Sequence, residues 1–437
     1  MNDSVLYPSG WSEKDLSEIS SLITDGAHFS PVPQEYGELI VNVKDLTDND
    51  INYEGCTQIL KDDFYFLVRQ SCSPKKGDIL LSKDGTIGKV VLFESTTQVV
   101  LLSSIAIIRL EKEIWPDFVK HVLKSFIFDK QLYSLQSGSA LKRIVLADIK
   151  QLKISLPDFK QQQKIATILS TVDNLIEKTQ SLIDKYTSVK QGMMADLFTR
   201  GIDLSGSPET NKNYGQLRPS VTESPELYQK TELGWVPKDW SVVALGDISE
   251  KITSGSRDWA SYYSEEGELF VRISNLTREH INFRWNSIKY VDIGSGSEGE
   301  RTRLEGGDIL ISITADLGII GVVPDGFERA YINQHTALVR ISNNVNNPRY
   351  IGHFLQSYSG QHQFEQLGDS GAKAGLNLPT IASLKCFIPL DTEKNETANR
   401  LDAIDQLVAD YKIEKEKYLN QKKGLMQDLL TGKVRVN

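Results

Sequence analysis

Gly77-Asp78-Ile79-Leu80-Leu81-Ser82 returns later in the same chain as Gly307-Asp308-Ile309-Leu310-Ile311-Ser312, a shift of 230 positions. The match extends in both directions. Upstream, Pro8, Trp11, Leu16, Ile19, Ile23 and Gly26 stand 229 positions before Pro237, Trp240, Leu245, Ile248, Ile252 and Gly255. Downstream, Gly88 pairs with Gly318 at 230, and Ala106 and Arg109 pair with Ala337 and Arg340 at 231. Pro116, Phe118, Leu123 and Ser125 then face Pro348, Tyr350, Leu355 and Ser357 at 232. The same shift carries Ile149, Leu152 and Pro157 onto Ile381, Leu384 and Pro389, and Gly192, Met194, Asp196, Leu197 and Thr199 onto Gly424, Met426, Asp428, Leu429 and Thr431. A register that drifts by only three residues over half of 437 is a duplication, and a repeat decides the architecture before any local pattern does.

One copy is enough to read the unit. Gly77–Ser82, Lys89–Phe93 and Ile105–Leu110 are short β-branched and aliphatic runs bounded by Gly, Asp and Ser, which marks strands. Pro116–Phe128 and Pro348–Leu355 predict short helices with proline at the first position. The globular part is therefore mixed α/β, over residues 1–157 in the first copy and 231–389 in the second. Each ends on a proline, Pro157 or Pro389, that closes a short apolar strand.

Beyond each of those prolines the pattern turns helical. No proline occurs from Asp158 to Ser207 or from Leu390 to the end. Ile165, Leu169, Val172, Ile176, Ile183, Tyr186, Met193 and Leu197 form a seam at steps of four and three. Leu401, Ile404, Val408, Tyr411, Tyr418, Leu425 and Leu429 form a second. Thr179 and Lys190 interrupt the first seam, and Lys415 and Lys422 the second. Residues 158–200 and 390–437 thus predict two long helices, each of about 40 residues and roughly 60 Å. One seam needs a cover. The other copy's seam is the natural one, in an antiparallel coiled coil with pseudo-two-fold symmetry; packing on its own domain is the alternative. Residues 201–230 are rich in Ser, Pro, Gly, Asn and Glu without apolar period, and predict a linker. The fold class is α+β.

Composition bounds the partners. Forty per cent hydrophobic and 24% charged residues are those of a globular protein, and no run approaches the roughly 20 apolar residues of a membrane span. Met1-Asn2-Asp3 opens without the basic and apolar segments of a signal peptide, so the expected address is cytoplasmic. Cys56, Cys72 and Cys386 are few, odd in number and far apart, which argues against disulfides and cysteine zinc sites. No metal site is expected. A net charge of −9 argues against a protein that coats nucleic acid unspecifically, and confines any such grip to particular loops.

Domain, long helix, domain, long helix resembles the layout of the specificity subunits of type I restriction–modification systems. The Asp25-Gly26-Ala27-His28 turn, the Gly-Asp-Ile-Leu strands and the Pro157…Gln162-x-x-Ile165 helix start look like that family's target-recognition domains and helices. So do the helix ends Lys190-Gln191-Gly192-Met193-Met194-Ala195-Asp196-Leu197 and Lys423-Gly424-Leu425-Met426-Gln427-Asp428-Leu429-Leu430-Thr431-Gly432. The second copy departs with Lys394 for Gln162, Thr397 for Ile165, and Ser254-Gly255-Ser256-Arg257 at the turn. The resemblance implies two target-recognition domains, each reading half of a bipartite, asymmetric double-stranded DNA sequence. It implies helices that space the halves and dock two adenine-N6 methyltransferase subunits, with translocating nuclease subunits joining for restriction. S-adenosylmethionine, ATP and Mg would belong to those partners, and this chain would hold no cofactor.

Chemistry of its own finds little support. Asn347-Pro348-Arg349-Tyr350 approaches the Asn-Pro-Pro-aromatic motif of amino-methyltransferases, but the first copy has Trp115-Pro116-Asp117-Phe118 there, so the shared element is a proline opening a helix. No P-loop is present. Asp158-Phe159-Lys160 hints at a nuclease pattern, but sits where an acidic residue favours a helix start. Base edges are read by polar side chains on loops and helix ends. In the first copy this selects His28, Lys83, Thr86, Ser139, Lys142 and Arg143; in the second, Ser256, Arg257, Arg272, Asn275, Lys373 and Asn377. Ordinary solvated turns are the plain alternative for each loop. A duplicated protein-binding scaffold and a standalone DNA enzyme are the rival functions.

Overall fold

The computed structural model describes residues 10–135, 143–256, 259–293, 299–342, 347–368 and 375–436. Two compact units emerge: Met1–Gln180 with Ile413–Asn437, and Ser181–Lys412. Both long helices, Phe159–Leu197 and Asp391–Leu429, are cut by that division, so each unit owns one half of each helix.

In the first unit a four-stranded antiparallel sheet runs in the order Ser20–Asp25, Ile105–Leu110, Ile79–Ser82, Val90–Leu92. Ile79 pairs with Ile108 and Leu80 with Val91. Both faces of the sheet are covered, which is why its strands read as continuous apolar runs rather than alternating ones. Ile79, Leu81, Ala106 and Ile108 pack on Phe118 and Val119 of the helix Pro116–Leu123. Leu80, Ile105 and Ile107 pack the opposite way, on Val41, Leu46 and Leu101. Val41 and Leu101 belong to a three-stranded sheet of Thr57–Ile59, Glu38–Val41 and Val100–Leu101, the last two parallel.

The second unit repeats this plan. Its sheet runs Ser249–Ser254, Thr336–Ile341, Ile309–Ser312, Ile320–Val322. Ile309, Ile311 and Val339 meet Tyr350, Ile351 and Phe354, while Leu310 and Leu338 meet Val271, Leu276 and Ile332. The duplicated Asp and Arg of the sequence turn out to be one interaction. Arg109 forks onto Asp78 at 2.9 and 2.7 Å, and Arg340 onto Asp308 at 2.7 and 2.8 Å. A bidentate guanidinium–carboxylate pair fixes the neighbouring strands in geometry as well as charge. Gln131 and Gln363 are a second such pair: each side chain accepts from and donates to the backbone of one residue, Lys153 or Lys385.

Within each unit the long helices run antiparallel. In the first, Ile165, Ala166 and Leu169 share a core with Met426, Leu429 and Leu430. In the second, Met194 and Leu197 share one with Ala398 and Leu401, and Tyr186 stacks on Tyr411 at 5.8 Å. Every residue of the two predicted seams is buried or half-buried. The start of each helix also packs on its own globular part, and its far end on the other copy's, so both covers weighed from the sequence are in use.

Two of the lysines that interrupt the seams, Lys190 and Lys422, are clamps. Lys190 reaches Asp405 at 2.6 Å in the second unit, and Lys422 reaches Asp173 at 2.6 Å in the first; the two pairs are the same pair 232 positions apart. A buried histidine stands beside each. His121 Nε2 lies 3.0 Å from Ser170 Oγ, and His353 Nε2 lies 2.8 Å from Asp402 Oδ1. Burial, then Lys120, Lys422 and Lys124, lower His121 to about 3; burial also lowers His353. Despite burial, hydrogen bonds from His353 and Arg349 hold Asp402 at about 2. His353, Asp402 and Asp405 lie close enough to resemble a metal site, but Arg349 and Lys190 already occupy the two carboxylates.

Residues 201–230 differ from a free linker. They form turns, yet Ile202 is fully buried in the second core and Arg218 forks onto Glu393 at 2.5 and 2.9 Å. Glu393 also accepts from Ile202 N at 2.6 Å and from Trp240 Nε1 at 3.2 Å. Composition could not reveal this, because a single carboxylate gathers the segment.

The clamps can be tested through stability. Lys190→Met leaves Asp405 buried and uncompensated, and is expected to cost about 3–5 kcal/mol, most of it recovered by adding Asp405→Leu; urea unfolding of the three chains measures this. Because the folded His121 sits near 3 against an ordinary 6.5, the folded state resists its protonation. Stability from this group is complete above about pH 6.5 and declines as pH falls toward 3. His121→Gln should flatten that decline in unfolding midpoints recorded across pH.

Candidate nucleic-acid interface

At one end of each four-stranded sheet, loops distant in sequence are sewn together by backbone hydrogen bonds. In the first unit, Ala27 N donates to Leu101 O at 2.7 Å and Ser103 N to Ala27 O at 2.9 Å. Lys83 N donates to Ser104 O at 2.9 Å, and Ile144 N to Lys83 O at 2.7 Å. In the second unit, Ser256 bridges Asn333, Ile313 N donates to His335 O at 3.0 Å, and Leu376 N to Ile313 O at 2.9 Å. The loops at 25–28, 83–86 and 143–144 therefore converge in the first unit, and those at 254–256, 313–316 and 375–377 in the second. A fourth segment joins them, Leu102-Ser103-Ser104 or Asn333-Gln334-His335. Sequence reading missed it because the two copies share no residue there and neither carries glycine, lysine or arginine.

The backbone of these loops is retained where the side chains are not. A Cβ on Gly26 would fall 2.1 Å from Leu101 O, and one on Gly255 would fall 2.1 Å from Asn333 O, so both turns admit only glycine. Gly85 adopts φ 72° and its counterpart Ala315 adopts φ 60°, the left-handed region. Alanine pays a steric penalty there that glycine does not.

The individual candidates divide. His28 is exposed, 3.1 Å from Asp25, and Thr86 and Arg143 are exposed on the same loop cluster. Arg143 forms a bridge with Asp84. Ser256 is half-buried and accepts from Arg301 at 3.1 Å. Arg301 was not anticipated; it also donates to Ser254 O at 2.8 Å and to Thr253, and so braces the turn. Ser139, Lys142, Arg257 and Lys373 lie outside the described residues.

Four candidates need correction or restriction. Lys83 is only 4% exposed and its ammonium sits 3.1 Å from Asp25, so it neutralises a buried carboxylate and is not free to meet a phosphate. Asn275 is buried, and its Oδ1 accepts from Arg272 N at 3.0 Å to close a tight turn. Asp45 closes the equivalent turn in the first unit, on Asn42 N at 2.8 Å, so this is scaffold. Arg272 is held by Ser287, at 3.0 Å to its carbonyl and 2.9 Å to its hydroxyl. Asn377 is exposed, but its Oδ1 caps the helix Leu378–Ser383 through Thr380 N at 2.9 Å.

The suspected enzymatic motifs have structural partners. Asn347 Oδ1 accepts from Arg349 N at 3.0 Å and Tyr350 N at 3.2 Å, a helix cap with Pro348 at the first position. Asp158 Oδ1 accepts from Gln161 N at 3.0 Å, capping the first long helix. Its neighbour Gln162 is buried between Trp115 N at 2.9 Å and Pro157 O at 3.0 Å. Among the described residues no helix is long and apolar enough to cross a membrane.

A twice-built loop platform at a sheet end, joined each time to half of a helix pair, is the plan of a known domain. Residues 8–185 and 237–421 match the family model of the type I restriction modification DNA specificity domain. The chain belongs to this family, as a type I restriction–modification specificity subunit with two recognition domains. It is 28% identical over 445 residues to a Methanocaldococcus jannaschii chain named as the putative MjaX specificity subunit of a type I restriction enzyme, covering 98% of this chain and 95% of that one. The MjaVIII specificity subunit of the same organism is 26% identical over 379 residues, covering 85% and 83%. The crystal structure of a type I restriction–modification S subunit from M. genitalium shares the fold, with a TM-score of 0.62 over 98% of both chains at 15% identity.

Ala315→Gly relieves the left-handed strain and is expected to raise stability by up to about 1 kcal/mol, read as a higher midpoint in thermal unfolding.

Proposed function

We propose that each recognition domain reads one half of a bipartite, asymmetric DNA sequence, and that the chain performs no catalysis itself. One observation carries this reading: the loop platform keeps its backbone in both units while its polar side chains differ. His28, Thr86 and Arg143 stand on one platform; Ser256, Gln334 and Asn377 stand on the other. Two platforms of one shape with different polar ends suit two different base sequences, since base edges specify and backbone contacts position. Arg257, Ser139, Lys142 and Lys373 complete the proposed contacts.

In this reading residues 1–157 and 231–389 are the two readers, 158–200 and 390–437 the spacer helices, and 201–230 the connection. The helices set the gap between half-sites and dock two methyltransferase subunits, to which nuclease subunits are added. S-adenosylmethionine, ATP and Mg act on those partners, in the cytoplasm. Readers on one face of B-DNA stand about one helical turn or a multiple apart, roughly 34–36 Å.

The test combines the chain with its methyltransferase partner, S-adenosylmethionine and a random-sequence DNA library, and maps the methylated adenines. A split motif with two defined halves and a fixed gap is the expected result. Exchanging residues 1–157 for another such domain should change one half only. No chain-dependent methylation by an intact partner would favour a protein-binding scaffold.

A further inference from the structure

The segment Asn333-Gln334-His335 carries a connected set of polar contacts on the second platform. Asn333 Oδ1 accepts from His335 N at 3.2 Å, closing a turn that leaves Gln334 at its tip. His335 is held on both ring nitrogens, by Thr314 Oγ1 at 2.7 Å on Nδ1 and by Gln334 Nε2 at 3.0 Å on Nε2. An amide nitrogen only donates, so His335 Nε2 accepts. The ring proton then sits on Nδ1 and is donated to Thr314 Oγ1. Thr314 is itself anchored by its bridge to Gly375, so the histidine is a fixed support.

The consequence falls on Gln334. A free glutamine amide can turn over and exchange its donor and acceptor ends. Here the nitrogen end lies 3.0 Å from His335, a contact that restrains the side chain at the turn. Its second N–H and its Oε1 have no partner among the described residues, and the side chain is half-exposed on the platform surface. A donor and an acceptor side by side complement adenine in the major groove, where N7 accepts and the N6 amino group donates. In the first unit the same three positions are Leu102, Ser103 and Ser104, which cannot form this pair.

We propose that Gln334 reads an adenine within the half-site of the second recognition domain, and that His335, fixed by Thr314, is its positioning residue. The proposal rests on the reading of the chain as a two-domain DNA specificity subunit.

The experiment uses the full chain with its methyltransferase partner, S-adenosylmethionine and a DNA library, and scores base preference at every position of the methylated motif. Gln334→Ala should lower the preference for adenine at one position by about ten- to a hundredfold, with the other half of the motif unchanged. Gln334→Glu presents acceptors only and should move the preference at that position toward cytosine, whose N4 donates. His335→Phe frees the amide to turn over and should weaken the same preference without moving it. A loss of packing alone cannot produce the change of base with Glu. The proposal is overturned if both Gln334 variants methylate the wild-type motif, or if they weaken all sequences uniformly at an unchanged unfolding midpoint. Failure of the wild-type chain to direct any split motif would instead refute the two-domain reading itself.

Discussion

A lysine ammonium 2.6 Å from an aspartate on the facing long helix is the contact on which the architecture turns; it occurs in both units, half-buried in the first and buried in the second. An apolar seam of Ile, Leu, Val and Tyr at steps of four and three tolerates a slide by one heptad, because the next layer looks much like the last. A buried charge does not tolerate it. Sliding the helices would leave Lys190 without Asp405 and expose neither to water, at a cost of several kcal/mol. The pair adds little net stability compared with well-packed hydrophobic residues. What it provides is register, and every position along the helices inherits that register.

The globular parts obey a second constraint, that a sheet covered on both faces has no free side on which to place function. The inner strands Ile79–Ser82 and Ile309–Ser312 are buried throughout, so polar chemistry is driven to the strand ends. There the backbone hydrogen bonds between loops do what side-chain packing does in the core: they hold the shape while leaving the exposed atoms unconstrained. The Asp78–Arg109 and Asp308–Arg340 forks stiffen the sheet beneath. A rigid base with replaceable tips is how one fold serves two different readings.

The repeat, the strands and the helix seams were legible because each rests on a residue type whose role is local. Gly26 and Gly255 are forced by a backbone carbonyl that would stand 2.1 Å from any Cβ, Pro116 and Pro348 by a helix start, and the seams by period. The interrupting lysines were visible as breaks, but their partners were not, since Lys190 and Asp405 are far apart in sequence. The same non-locality hid the role of Lys83, which looks like a phosphate ligand until Asp25 appears beneath it. It also hid Glu393, which gathers the connecting segment onto the second domain. Gln334 escaped notice for the opposite reason. A residue that distinguishes the two copies leaves no trace in a search for what they share.

The division of the helices bears on how the chain is made. The second unit is one continuous stretch, whereas the first is closed only by Ile413–Asn437. On a ribosome the downstream domain therefore has its whole core available before the upstream one does. Until residues 413–437 emerge, Ile165 and Leu169 lack Met426, Leu429 and Leu430, and Asp173 lacks Lys422. The domain synthesised first is thus the last to be completed, through contacts spanning more than half of the chain, and such long loop closures are slow. During that interval its apolar stripe is the exposed surface most in need of a chaperone's cover.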